Sequence, residues 1–391
     1  MVPDVDVIFE GLSTKLRQDL LKAFADEVER VGSPTAAASK SGTSLNAILH
    51  LARTLRAGRA VIFVTGAGLS YASGITPYRY SNKAIWSNFV MASGERRTFK
   101  EDPDQYWNSF WLRTHEIPSF INAKPNQGHI AIAKIMRKAD VFVITQNIDT
   151  LHTKSGALEN RLVEIHGRLG LYKCVNQATG NVKGLGRQRD CPYSRSISIK
   201  LHDLNAYAVD GTSLANNNLK IKIPRCPGCL SPIMPHALMF DEQYVSHDFY
   251  RYYEAEQWLR AADAIVFVGT SFSVNITQDA INIALESSRD IELYSFNITQ
   301  DEKIEEASYQ TACQRLFSQG SRPRVDSLAL QWIVGPSEET LPLLDRILTE
   351  LMSDTFSTEI HPDERLGQPR LIYCYRKEPT EKIGSSILNI D

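Results

Sequence analysis

Three stretches carry residue types and spacings suited to chemistry. Gln146-Asn147-Ile148-Asp149-Thr150-Leu151-His152 crowds amides, a carboxylate and an imidazole into one short run after the apolar Val141-Phe142-Val143-Ile144-Thr145. Ligands of open α/β sheets sit at the C-terminal ends of strands, which is where this run falls. Gly66-Ala67-Gly68-Leu69-Ser70 follows another apolar run, Val61 to Thr65. Its glycines permit a sharp turn and close backbone approach, and a helix opening there offers N–H groups that suit a pyrophosphate. The full three-glycine dinucleotide fingerprint is absent, and an ordinary strand-to-helix turn fits the same residues. Cys226-Pro227-Gly228-Cys229 is a tight thiolate pair of the kind that begins a tetrahedral zinc site.

These groups need a scaffold, and the apolar periodicity supplies one. Short β-branched runs predict buried strands at Arg59–Thr65, Val141–Thr145, Leu162–Ile165, Ala264–Val268, Ile291–Phe296 and Ser327–Val334. Helical spacing predicts helices over Leu45–Leu55, Gly128–Lys138, Phe249–Leu259, from about Ile276, and over Leu341–Leu351. The alternation implies an α/β fold, a doubly wound, parallel, Rossmann-like sheet with right-handed crossovers. Polar clusters follow four of the apolar strands, at Gly66–Ser70, Gln146–Asp149, Gly269–Ser271 and Asn297, and that recurrence says more than any one of them.

Residues 1–44 read as a helical extension, amphipathic over 5–31 with Leu16, Leu20, Leu21, Phe24 and Val28 on one stripe, and then an Ala/Ser/Gly-rich linker, Pro34 to Thr43. The helix is expected to pack on its own domain; a partner contact is the alternative. Residues 45–168 form the first part of the Rossmann-like domain, with a polar, aromatic-laced stretch over about 74–120 that fits a cofactor flap or a surface loop. Periodicity fails from Leu169 to Pro235, where Cys174, Cys191, Cys226 and Cys229 lie among Gly, Pro and Asn, so 169–235 reads as a small inserted module. Residues 236–351 complete the sheet domain and 352–391 are a polar extension.

Composition bounds the rest. The 391 residues hold 43 basic and 45 acidic side chains, so bulk charge gives no pull toward nucleic acid or an anionic membrane. No apolar run is long enough to span a bilayer. The acidic start, with Asp4, Asp6 and Glu10, argues against a secretory signal or an Arg-rich transit peptide, and a cytoplasmic or nuclear location is the default expectation. Six cysteines in a chain this long do not make a disulfide scaffold.

Taken together, Gly66-Ala67-Gly68-Leu69-Ser70, Thr145-Gln146-Asn147-Ile148-Asp149-x-Leu151-His152, His166-Gly167, the cysteine module and Gly269-Thr270-Ser271 resemble the sirtuins, NAD-dependent protein-lysine deacylases. Order and spacing match from about residue 45 to 351. The resemblance implies that Gly66, Ala67, Gly68 and Ser70 line the NAD phosphates, and that Gln146, Asn147 and Asp149 surround the nicotinamide ribose and amide. It further implies that Gly269, Thr270, Ser271 and Asn297 meet the adenosine ribose, that Gly335-Pro336-Ser337 meets adenine, and that His166 is the general base, with Asn147 beside it. An imidazole titrating near neutral pH suits a base that helps a ribose hydroxyl attack an acyl intermediate. His129, on a helix, and His152, which holds the Gln146–Asp149 loop, are weaker candidates. Cys174, Cys191, Cys226 and Cys229 are expected to hold a structural zinc, with a metal-free loop or His202 in place of one thiol as alternatives.

The chain departs from the family pattern in places. Gly74-Ile75-Thr76-Pro77-Tyr78-Arg79 lacks the acidic residue that sirtuins commonly place there, although Tyr78 and Arg79 still suit the nicotinamide end. Gln177 stands where the partner of Cys174 is expected, and Cys191 is proposed to fill the place across an insertion. Met234 to Glu242 resembles the segment along which acyl-lysine adds as a strand, but Asp241 replaces a glycine and is expected to narrow or re-aim the cleft. Ala84 and Trp86 occupy the positions of a dicarboxyl-binding Tyr and Arg, so an apolar acyl pocket is the better expectation. The reaction implied transfers the acyl group of a protein or peptide lysine to ADP-ribose with release of nicotinamide. An NAD hydrolase or mono-ADP-ribosyltransferase on the same scaffold, a catalytically weak NAD-binding scaffold, and a homo-oligomer through the terminal extensions are the alternatives and additions this sequence leaves open.

Overall fold

The computed structural model describes residues 12–20, 22, 34–76, 93–115, 118–176, 191–201, 203–213, 218–324 and 328–353. Strands β1 (Val61–Thr65), β2 (Val141–Thr145), β3 (Leu162–Glu164), β7 (Ala264–Val268), β8 (Glu292–Asn297) and β9 (Leu330–Val334) form one six-stranded sheet in the order β3-β2-β1-β7-β8-β9. Every pairing in it is parallel. All five residues of β1, β2 and β7 are buried, because helices cover both faces and each strand must be apolar on both. Successive side chains take opposite sides, so Val61 and Phe63 join one core while Ile62 and Val64 join the other.

Helices α1 (Pro34–Arg56), α2 (Gln127–Ile135) and α6 (Ser337–Ser353) cover the first face. Helices α3 (Tyr252–Ala261), α4 (Asn275–Glu286) and α5 (Glu302–Ser318) cover the second. Thr65 pairs in register with Thr145 of β2 and Val268 of β7, so the polar tips that follow these strands meet at one edge. The strand order reverses between β1 and β7, which makes that edge the topological switch point.

Two expectations need correcting, and one helix goes beyond them. Pro34 to Thr43 is helical, the first part of α1, and not a linker; its alanines favour helix and a proline is tolerated at the first helical position. Helix α5 was not anticipated, because its few buried apolar residues, among them Ala312 and Leu316, are scattered among charges. The described part of the 74–120 stretch is no surface loop: Arg96–Glu101, Pro103–Gln105, Leu112–Thr114 and Pro118–Ile121 are helical turns around a π-helical segment, Tyr106–Trp111. Its aromatics Phe99, Tyr106 and Trp107 are at most 1 % exposed. They form a third core with the second sheet, antiparallel β5 (Ile199–Lys200), β4 (Gly167–Cys174) and β6 (Ile233–Ala237). Of the N-terminal stripe, Leu16 and Leu20 are buried in the first core, and Ser13 bonds Glu350 of α6 at 2.8 Å, so the described part packs on its own domain. Leu21, Phe24 and Val28 lie outside the described residues, as does the 354–391 tail.

Candidate active site

A cleft of about 850 Å³ opens where the tips of β1, β2, β7 and β8 face the antiparallel module. Gly66, Ala67, Gly68, Gln146, Asn147, His166, Gly269, Thr270, Ser271, Asn297 and Ser337 all line it. Ser70 and Asp149, expected beside the cofactor, sit behind that lining, at 0 % and 4 % exposure. Tyr78, Arg79, Ala84 and Trp86 fall outside the described residues.

The helix that opens after β1 is a seven-residue 3-10 helix, Ala67–Ser73. Its glycines serve first to let two loops interlock. Gly68 N donates to Gly269 O at 2.8 Å, and a Cβ on Gly269, itself at φ +58°, would lie 2.3 Å from Leu69 N. No side chain fits between these backbones, so the tips of β1 and β7 present one continuous surface.

Behind it lies a polar bed with a defined hydrogen-bond direction. Ser70 Oγ donates to Asp149 Oδ2 at 2.6 Å and accepts from Asn147 Nδ2 at 3.1 Å, while the same amide donates to Gly66 O at 2.9 Å. Asn147 is thereby fixed against the glycine turn. Burial raises the pKa of Asp149, and the Ser70 hydrogen bond works against that rise. His152 Nε2 meets Thr65 Oγ1 at 2.9 Å, and His129 packs edge-on against it with centroids 5.2 Å apart. Burial pulls His152 down to about 4 and His129 to about 2, so both are neutral supports of the loop and neither takes part at the cleft wall.

His166 is different: half-buried, it lines the cleft. Its Nδ1 lies 2.9 Å from the Gln146 carbonyl. A carbonyl only accepts, so Nδ1 carries the proton and Nε2 is left as the lone-pair nitrogen. Burial lowers its pKa to about 4, with the Gln146 carbonyl opposing, so the ring is a neutral acceptor at physiological pH. Gly167, at φ +96°, follows because a Cβ there would lie 1.9 Å from His236 O of β6. Leu238 N donates to His166 O at 2.8 Å. The imidazole and the 237–242 segment are therefore locked together by backbone contact.

Asp241 does not narrow the cleft. Its carboxylate turns outward and accepts from Arg96 N at 2.6 Å and Arg97 N at 3.0 Å, at the start of the Arg96–Glu101 helix. Glu242 faces inward, meets the buried Lys173 Nζ at 2.5 Å and accepts from Met239 N at 3.0 Å. Tyr71, Phe110, Trp111, His115, Tyr244, Asp279 and Arg315 also line the cleft and were not singled out in the sequence. Aromatics in a π-helical segment or a single 3-10 turn leave no period to read.

Cys174, Cys191, Cys226 and Cys229 bring their four Sγ atoms within 4.8 Å of one another. Sγ–Sγ separations of 3.5 Å (Cys174–Cys229) and 3.6 Å (Cys191–Cys226) approach the roughly 3.8 Å edge of a tetrahedron of zinc–thiolate bonds. Asn176 N and Gly228 N point at Cys174 and Cys226 Sγ, donors that stabilise thiolate ligands. The residues fit zinc, and Cys191 brings its thiol into the cluster with the other three; His202 lies outside the described residues.

A crevice at the switch point of a parallel sheet, with an imidazole beside it and a four-thiol module across it, defines a dinucleotide-using protein built on a Rossmann-like domain with an inserted zinc-type module. The Sir2 family model matches residues 66–276. The chain is 40% identical over 298 residues to NAD-dependent deacetylase sir2E of Dictyostelium discoideum, covering 76% of each. It is 29% identical over 226 residues to an NAD-dependent protein deacylase of Thermococcus sibiricus, covering 57% of this chain and 74% of that one. A solved Sir2 homologue in complex with ADP-ribose shares the fold, with a TM-score of 0.54 at 21% identity over 79% of this chain and 99% of that one. The chain belongs to the Sir2 family.

Proposed function

We infer that this chain is an NAD-dependent protein-lysine deacylase. The observation that carries the reading is His166, with Nδ1 tied to the Gln146 carbonyl and Nε2 turned to a cleft whose two walls are the glycine turns and the 237–242 segment. NAD, as substrate, spans the interlocked turns: its pyrophosphate lies against Gly66–Gly68, its adenosine end toward Gly269–Ser271, Asn297 and Ser337, and its nicotinamide ribose toward Gln146 and Asn147. Positive charge develops on that ribose as nicotinamide leaves, and the fixed amides hold the ring while the module excludes water. The acyl oxygen of the lysine amide bonds to the ribose carbon that nicotinamide vacates. His166 Nε2 then takes the proton of a ribose hydroxyl, which attacks the acyl carbon; the C–N bond to lysine breaks as the amine takes a proton, one water adds to the acyl carbon, and opening of the cyclic adduct leaves free lysine and O-acyl-ADP-ribose. Zinc would be held by the four thiols and would supply no step; it would tie together the module whose β6 leads into the substrate segment.

The acyl group is aliphatic. Phe110, Trp111, Ile148 and Met239 line the cleft, together with His115, which stacks on Trp111 at 3.9 Å and which burial keeps neutral, at about 3. Arg315 lines the same cleft but is held by Asp279 at 3.1 Å and Asn275 at 2.9 Å, a poor partner for an acyl carboxylate. A panel of acyl-lysine peptides with NAD tests this: aliphatic chains are expected to give a higher kcat/KM than succinyl, and the reverse order overturns the assignment.

A further inference from the structure

One aromatic beside the base has no part in the reaction as described. The Tyr244 ring lies parallel to His166, with 5° between planes and centroids 5.9 Å apart, and its hydroxyl stands 3.4 Å from Nε2. Ile276 N, at the start of α4, donates to the same hydroxyl at 3.1 Å. That bond occupies the oxygen from behind, so the single hydroxyl hydrogen is directed to Nε2. Burial pushes the Tyr244 pKa well above its ordinary value, which keeps that hydrogen in place. Tyr252 of α3 backs the ring in turn, with 7° between planes at 5.3 Å, and its hydroxyl donates to Asp279 at 3.3 Å.

We propose that Tyr244 is a positioning residue for His166: it holds the imidazole plane and Nε2 for the ribose hydroxyl, and yields its place at Nε2 when NAD and acyl-lysine bind. This rests on the deacylase reading above. Tyr244 belongs to the turn Tyr244–Ser246 directly after the substrate segment, while Ile276 follows the Gly269–Val274 loop. One phenol thus ties the base to the walls that carry both substrates. The ionisable groups around the pair are few and mostly matched. Glu164 of β3 and Arg168 of β4, on the chain flanking His166, pair at 2.5 Å; Asp279 of α4 and Arg315 of α5, which face Tyr244, pair at 3.1 Å. Burial and the Gln146 carbonyl, not a neighbouring charge, set the ring's protonation.

Tyr244→Phe keeps the ring and removes the donor. A hydrogen bond to the neutral imidazole lowers its pKa, so losing it raises the pKa. The acid limb of the kcat/KM–pH profile is expected to move to higher pH by about half a unit or more. Because the bond is given up once both substrates are bound, its loss is expected to lower kcat/KM for the acyl-lysine peptide roughly threefold to tenfold while kcat stays within about twofold. Tyr244→Leu, without the ring, should fall further, and unchanged unfolding midpoints for Tyr244→Phe show that the fold is intact. A Tyr244→Phe pH profile and kcat/KM superposing on those of the full-length wild type overturn the proposal. A wild type that makes no O-acyl-ADP-ribose overturns the deacylase reading, and this one with it, whatever the variants do.

Discussion

The parallel sheet and the antiparallel module share one cleft and are held by different forces. Strands β1, β2 and β7 are buried along their whole length between two apolar layers, and their parallel pairing is what strand–helix alternation calls for. The module has one fully buried strand, β6, against a partly exposed β4 and a two-residue β5. Four thiols, an aromatic cluster and the buried Lys173–Glu242 pair make up what its short strands lack. A chemically demanding cleft is thus built by setting a wall that folds on apolar burial against a wall that folds on specific bonds.

The largest test of that contrast is metal removal. A chelator, or Cys226→Ser, should cost several kcal/mol and up to about 10, the scale of structural zinc binding. Hydrogen exchange should then show lost protection in β4 and β6 while β1, β2 and β7 keep theirs; equal loss in both regions would erase the distinction. Next comes Glu242→Ala, which leaves Lys173 as a buried, unpaired cation, with both side chains at most 4 % exposed in the native pair. It should destabilise by about 3–5 kcal/mol in denaturant unfolding; an effect under about 1 kcal/mol would make the pair incidental.

What could be read in advance divides along the same line. The sheet was legible because Val61–Thr65 or Ala264–Val268 are apolar enough to announce themselves. The four site clusters were legible because each stands directly after such a strand. Helix α5 was not, because tertiary contacts of Ala312 and Leu316 decide it more than any stripe. The packing of Phe99, Tyr106 and Trp107 was not, because a π-helical segment between short turns has no 3.6-residue repeat. The narrowing expected of Asp241 is not found, because the sequence does not say which way a side chain turns.

Acid should strike both regions. Burial holds His152 on the sheet side and His247 on the module side at about 4. Their folded pKa values are depressed, so as pH falls below about 6.5 the unfolded chain takes up protons that the native state refuses. Stability is lost down to the folded pKa near 4, by about 3 kcal/mol for each such histidine. A stability flat between pH 6.5 and 4 would contradict the burial of these rings. The smallest effect expected is Gly68→Ala, whose Cβ would lie 2.8 Å from Gly269 Cα and O. Separating the interlocked loops should cost about 1–3 kcal/mol and weaken NAD binding in a calorimetric titration, while leaving zinc content unchanged.

The central claim is that an imidazole at the meeting of these two walls directs NAD chemistry onto an acyl-lysine. Mass analysis of products from NAD and an acyl-lysine peptide tests it most directly, with wild type and His166→Ala side by side. The account predicts nicotinamide, O-acyl-ADP-ribose and free lysine peptide from the wild type, and a rate lowered about 10²- to 10⁴-fold in a variant that still binds NAD. Free ADP-ribose formed without peptide, or undiminished turnover in His166→Ala, would contradict it.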